Sequence, residues 1–150
     1  MVARPNNDIV LKAFLRAFVP ELATGSLVAA RLPADRTVWA ASGFVTFLSV
    51  GGVYRPELVQ RRPVYTLSVW ANAGDSARPP WGKANELAEA IREVADNRKG
   101  GNVRPVGPNT HGRFIVSNFV VLNEPRKITG DESAYARFDL DVELWWSPTL

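Results

Sequence analysis

Ala134-Tyr135-Ala136-Arg137-Phe138-Asp139-Leu140-Asp141-Val142-Glu143-Leu144-Trp145-Trp146 is the stretch that decides how this chain folds. Every even position in it is apolar, while Arg137, Asp139, Asp141 and Glu143 fill four of the odd ones. Side chains on an extended strand alternate between faces, so this period of two predicts a long, half-buried strand with an acidic outer face. Adjacent strand residues point to opposite sides, which puts one indole of the Trp145-Trp146 pair beside the acids. Three carboxylates in line allow a catalytic or metal site, the wet side of a sheet, or the wall of an assembly.

Upstream of that strand the chain reads as helix, three strands, helix and one further strand. A first helix runs from about Asp8 to Phe18, with Asn7 as its N-cap and Asp8 favourably placed in its first turn. Pro20 stops it, and its apolar surround, broken only by Lys12 and Arg16, predicts packing on a sheet or on a second subunit. Leu27–Leu32, Phe44–Val50 and Val64–Ala73 read as strands; the second is bounded by Gly43 and by Gly51-Gly52. A polar, proline-bracketed loop, Tyr54–Pro63, joins the last two. After the turn-rich Gly74–Gly82 comes the best-patterned helix, about Lys83 to Asn97, with Leu87, Ile91 and Val94 on one stripe and acids opposite. Asn102–Gly112, with Pro105, Gly107, Pro108 and Gly112, reads as a long loop, and Arg113–Leu122 as the strand before the closing one. The expected fold is α+β: a mostly antiparallel sheet of about five strands, with two main helices packed on one face, in a single domain spanning 1–150.

The chain has 150 residues and no cysteine, which excludes disulfides, iron–sulfur clusters and zinc knuckles. It shows no signal-peptide core and no run near the ~20 apolar residues of a membrane span, so the reading is of a soluble intracellular product without membrane contact. Its net charge of +3 is unevenly placed. No acid falls between Asp96 and Glu124, whereas Arg98, Lys99, Arg104 and Arg113 do, and Arg55, Arg61 and Arg62 form a second basic knot. Such clusters suit an acidic protein surface or phosphate.

No constellation for catalysis stands out. His111 is the one histidine and sits in the Gly/Pro-rich loop without a partner evident nearby. No serine occupies a Gly-x-Ser-x-Gly elbow. Gly82-Lys83 lacks the earlier glycine and the following hydroxyl of a phosphate loop, since Ala77 and Ala84 hold those positions. Asp139, Asp141 and Glu143 stand ~6.6 Å apart along a strand, a spacing fit for a carboxylate pair working across a water but not for one metal ion. The reading is therefore not an enzyme, with no catalytic, cofactor or metal residue assigned.

Asp8–Leu15, Leu32-Pro33-Ala34-Asp35-Arg36, Tyr65-Thr66-Leu67-Ser68-Val69-Trp70-Ala71, Lys83–Asp96 and Ala136–Pro148 follow one another in an order that resembles the tail terminator proteins of long-tailed bacteriophages. The resemblance is to those of phages infecting actinobacteria above all. It covers nearly the whole chain through element order rather than a diagnostic motif. It implies a small α+β protomer assembled as a hexameric ring on the last ring of the tail tube. That ring stops tube polymerisation and presents the docking surface for the head connector proteins, in the virion at the head-proximal end of the tail. DNA passes through the bore without being read.

On that resemblance the contact surfaces expected are the loops Arg55–Arg62, Asp75–Trp81 and Arg98–Arg113. Their residues would be Arg55, Arg61, Arg62, Arg78, Trp81, Arg98, Lys99, Arg104 and Arg113, with Trp145 beside them. Asp139, Asp141 and Glu143 would face the bore or a basic loop of the next subunit. The competing readings are a neighbouring neck or head-closure adaptor, a small nucleic-acid-binding module, and a carboxylate-based hydrolase.

Overall fold

The computed structural model describes residues 5–73, 79–96, 104–109, 112–129 and 135–148. In chain order the elements are helix α1 (Asn7–Phe18), strands β1 (Val28–Ala29), β2 (Phe44–Val53) and β3 (Arg62–Ala71), helix α2 (Trp81–Asp96), and strands β4 (Arg104–Asn109), β5 (Gly112–Val121), β6 (Arg126–Lys127) and β7 (Ala136–Pro148). The alternating stretch is β7, and it lies inside the sheet rather than at an edge. Six strands run across in the order β1-β2-β3-β7-β5-β4, while the two-residue β6 prolongs the line of β5 beside β7. All pairings are antiparallel except the short parallel pair of β1 with β2. This is the α+β fold expected, widened by β4 and β6.

The even face of β7 is core. Ala136, Leu140, Val142, Leu144 and Trp146 are buried, opposite Tyr65, Leu67, Val69 and Ala71 from β3. Both helices cover this face. From α1 come Val10, Leu11, Phe14 and Leu15, and from α2 come Leu87, Ala88 and Ile91, all in one apolar cluster. Each large side chain fully removed from water contributes roughly 1.5–3 kcal/mol, so this single layer carries the fold. Phe14 meets Phe119 of β5 with ring centroids 4.9 Å apart, which fastens α1 across the sheet.

Several boundaries differ from expectation for identifiable reasons. Asn6, not Asn7, caps α1: its side-chain oxygen accepts from the Ile9 amide at 2.9 Å. Asn7 is the first helical residue and has another task, described below. Of Leu27–Leu32 only Val28 and Ala29 pair as strand. Asp35 instead caps a short 3-10 turn, Arg36–Trp39, accepting from the Thr37 amide and hydroxyl. β2 does not stop at Gly51-Gly52 but bends through them. A bulge between Ser49 and Gly51 is accommodated by φ values of +103° and +128° at the two glycines, which L side chains resist. The expected loop Asn102–Gly112 contains β4, an edge strand paired to β5. Prolines are tolerated there because an outer strand leaves half its donors without a ladder partner.

Candidate interaction surface

Twelve consecutive residues, Leu48–Val59, are exposed. They form the far half of β2, paired to β3 as far as Val53 opposite Arg62, and the turn that leads on to β3, an arm whose side chains are left open to water. Six of them are large and apolar: Leu48, Val50, Val53, Tyr54, Leu58 and Val59, from 44% to 82% exposed. Isolated exposed apolar side chains are ordinary, but a contiguous set marks a surface for another molecule. No charged residue or proline occurs from Gly43 to Tyr54. β1 pairs only with Val45 and Thr46, so the outer edge of β2 from Phe47 onward has no neighbouring strand among the described residues. Natural edge strands usually carry lysine or proline against unwanted pairing, and this one carries neither. The expected contact loop Arg55–Arg62 covers the turn of this arm but not its β2 half, Leu48–Val53. The signal available was the uncharged run that precedes it.

The basic knot at the root of the arm is split. Arg61 pairs with Trp146 through two backbone hydrogen bonds, 2.7 and 2.9 Å, and its guanidinium carbon lies 5.4 Å from the Trp146 ring centre. Arg62 instead lies 3.9 Å from the centre of Trp145, on the opposite face, with its Nε donating to Gln60. Gln60 is in turn held by its donation to Ser117 at 2.6 Å. Arg55 stands exposed beyond them. Among the described residues, neither Arg55 nor Arg61 forms an ion pair. A cavity of about 120 Å³ opens between the arm and the start of α1, lined by Asn7, Gly51, Gly52, Tyr54, Arg55, Leu58 and Arg61 among others.

The odd face of β7 is polar but largely self-satisfied. Asp139 is buried and receives a two-pronged donation from Arg137, both at 2.9 Å, while Arg137 stacks 5.0 Å from the Trp70 ring. Asp141 accepts from the Thr66 hydroxyl at 2.7 Å, the Asn123 amide at 2.6 Å and Arg126 at 3.3 Å. The Thr66 bond first, then Arg126 and Asn123, hold its carboxyl below the usual carboxylate range. Glu143 accepts from the Trp145 indole, so Trp145 does lie on the acidic side. Carboxylates engaged in this way form a cross-strand brace between β3, β7 and the β5–β6 turn.

The other expected contact residues fare unevenly. Trp81 opens α2 and is half-buried, edge-on to Phe138 at 6.0 Å, with Lys127 Nζ 4.3 Å from its ring centre. It is a packing residue, not a free loop tip. Arg78, Arg98 and Lys99 lie outside the described residues, as does His111. Arg104 starts β4 and Arg113 is the second residue of β5, but their side chains also lie outside what is described. The three loops therefore reduce, among described residues, to the arm.

No protein-family model matches this chain. No curated protein matches it either. One solved structure, whose name states no function, is similar over 97% of this chain and 96% of its own, at 18% identity and a TM-score of 0.45. No described helix is long and apolar enough to cross a membrane.

Proposed function

We propose that this protein is a structural, non-enzymatic subunit of a bacteriophage tail. It assembles as a ring, six-membered by its resemblance to tail terminators, on the head-proximal end of the tail tube. The ring halts polymerisation, offers the docking surface for head connector proteins, and lets DNA through its bore unread. The observation that carries an assembly role is the wholly exposed arm Leu48–Val59, uncharged as far as Tyr54, a surface whose apolar content suits another protein. The order of sequence segments supplies the particular assembly. The engagement of Asp139, Asp141 and Glu143 by neighbouring donors supports a bracing role for them over a hydrolytic one.

The test is to add the purified protein to tail-tube subunits elongating in vitro and to image the products. Rings at one end of tubes, with tube growth stopped, are the expected result. Unchanged tube lengths with the protein remaining monomeric in their presence would overturn the reading. Val53→Lys with Val59→Lys should abolish capping while leaving the circular dichroism spectrum unchanged. Reversing Arg61 or Arg62 is a poorer choice, because each is stacked on an indole.

A further inference from the structure

We infer that the cavity at the root of the arm is a docking pocket for a carboxylate side chain flanked by apolar residues, presented by an extended segment of a partner protein. The chain builds the pocket from two directions. On the cationic side, Trp146 is fixed first: its indole nitrogen donates to Asn7 Oδ1 at 2.9 Å. The paired backbone bonds between Trp146 and Arg61 then fix the arginine, and the indole supports its guanidinium face. Stacking of this kind occupies the plane of the guanidinium and leaves its in-plane donors available for a carboxylate fork. Arg55 adds a second cation on the same rim. The first turn of α1 borders the cavity through Asn7, and the positive end of a helix favours an anion.

Two acids flank the cavity: exposed Glu57, on the arm between Arg55 and Leu58, and Asp8, in that first turn of α1. Asp8 is engaged elsewhere. It already accepts from the Tyr65 hydroxyl at 2.6 Å, and no ion pair with Arg61 forms. Burial, with Asp8 second, pushes the Tyr65 phenol well above its ordinary range, so Tyr65 stays a neutral donor to Asp8.

On the apolar side, Val53, Tyr54 and Leu58 line the same cavity. Gly51 and Gly52 present bare backbone; an added Cβ at Gly51 meets nothing within 4 Å, which leaves that wall open. A volume of about 120 Å³ leaves room for a side chain and lies below the ~300 Å³ where pockets for larger ligands begin. The lining carries three arginines and no acid, so its occupant is anionic, and four of the chain's own acids are already committed elsewhere. Asp139, Asp141, Glu89 and Asp96 are already ion-paired to arginines of the same chain.

The inference takes from the proposed function only that the ligand is a protein. The experiment titrates the protein with a capped five-residue Leu-Glu-Leu-Glu-Leu peptide, its Leu-Gln-Leu-Gln-Leu counterpart, and inorganic phosphate, following tryptophan fluorescence from Trp146 under Arg61. The acidic peptide is expected to bind at least tenfold more tightly than the glutamine peptide. Arg61→Gln should weaken it at least tenfold, exposed Arg55→Gln and Arg62→Gln, which also line the cavity, by smaller factors, and Arg16→Gln, exposed at the far end of α1 and outside the lining, not at all. Equal binding of the two peptides, or indifference to both Arg61→Gln and Arg55→Gln, overturns the pocket. Phosphate competing as well as the peptide reduces it to a general anion site and overturns it too. Concentration-dependent self-association lost in Arg55→Gln would make a second copy the occupant instead. Peptide binding without tube capping would leave the pocket standing and remove the ring. Capping by a protein that ignores the peptide would do the reverse.

Discussion

The indole nitrogen of Trp146 donates to the side-chain oxygen of Asn7 at 2.9 Å, joining the end of the last strand to the start of the first helix. Trp146 is 1% exposed, so without Asn7 its N–H would be a buried donor with no acceptor. Asn7→Ala should cost about 1–3 kcal/mol, the desolvation penalty of such a group. Asn6→Ala removes the helix cap and should cost about 1 kcal/mol. Urea midpoints of the two variants check the ranking. An Asn7→Ala protein as stable as wild type would show that the bond does not hold the helix to the sheet.

Asp141 ties β3, β7 and the turn after β5 together, and its folded-state pKa lies below the ordinary carboxylate value. A depressed carboxyl contributes stability that is present above the unfolded pKa of ~3.9 and is lost as pH falls through the lower folded value. Asp141→Asn should therefore be less stable than wild type at pH 7, by roughly 1–3 kcal/mol. Between pH 5 and pH 2 the gap should narrow. Thermal melts across that range decide it; a gap that stays constant with pH would mean the charge contributes nothing.

Gly51 and Gly52 both sit at positive φ, yet they differ in surroundings. A Cβ on Gly51 enters open space, whereas one on Gly52 lands on the carbonyl oxygen of Arg62. Gly51→Ala should cost only the backbone strain of about 1–3 kcal/mol. Gly52→Ala must also part the two strands at the root of the arm and should cost more. Calorimetry on both variants checks the order, and equal melting temperatures would contradict it.

Among the described residues the Trp39 indole nitrogen is buried without a hydrogen-bond partner, while its ring meets Phe44 at 6.1 Å and Tyr135 at 5.2 Å. Trp39→Phe keeps an aromatic ring there and removes the orphaned donor, whose burial costs ~1–3 kcal/mol. That gain offsets much of the lost packing, so the net change should stay within about 1 kcal/mol, a few degrees in melting temperature for a chain of this size. A loss of more than ~3 kcal/mol would show that the larger ring is held by packing alone.

Strict alternation made β7 legible from sequence, and so did the 3.6-residue stripe of α2, because both patterns are local consequences of one buried face. β4 was not legible. Pro105, Gly107 and Pro108 argue for a loop until β5 is present to pair with them, and that partner is a tertiary fact. The same limit applied to the basic knot: Arg61 and Arg62 are neighbours in sequence, but strand alternation sends them to different indoles. Alternation puts Asp139 and Asp141 on the right face, yet their partners Arg137, Thr66, Asn123 and Arg126 come from three strands and a turn, and only Arg137 lies on their own strand. The arm was readable in part, since ten residues without a charge on an edge strand are an anomaly whatever the fold.

The place of β7 between β3 and β5 has a consequence for how the molecule comes into being. Without β7, β1-β2-β3 and β4-β5 are separate ribbons with no strand pairing between them. The element that welds them is the last in order, so the sheet cannot close progressively as the chain lengthens. Folding waits on long-range pairing of a late strand with two earlier ones, which places it among the slower topologies, on the order of milliseconds to seconds. During that wait the uncharged β2 stands with both edges open and depends on β3 to find it first. The pairing of residues 136–148 on both sides is what turns two half-sheets into one sheet.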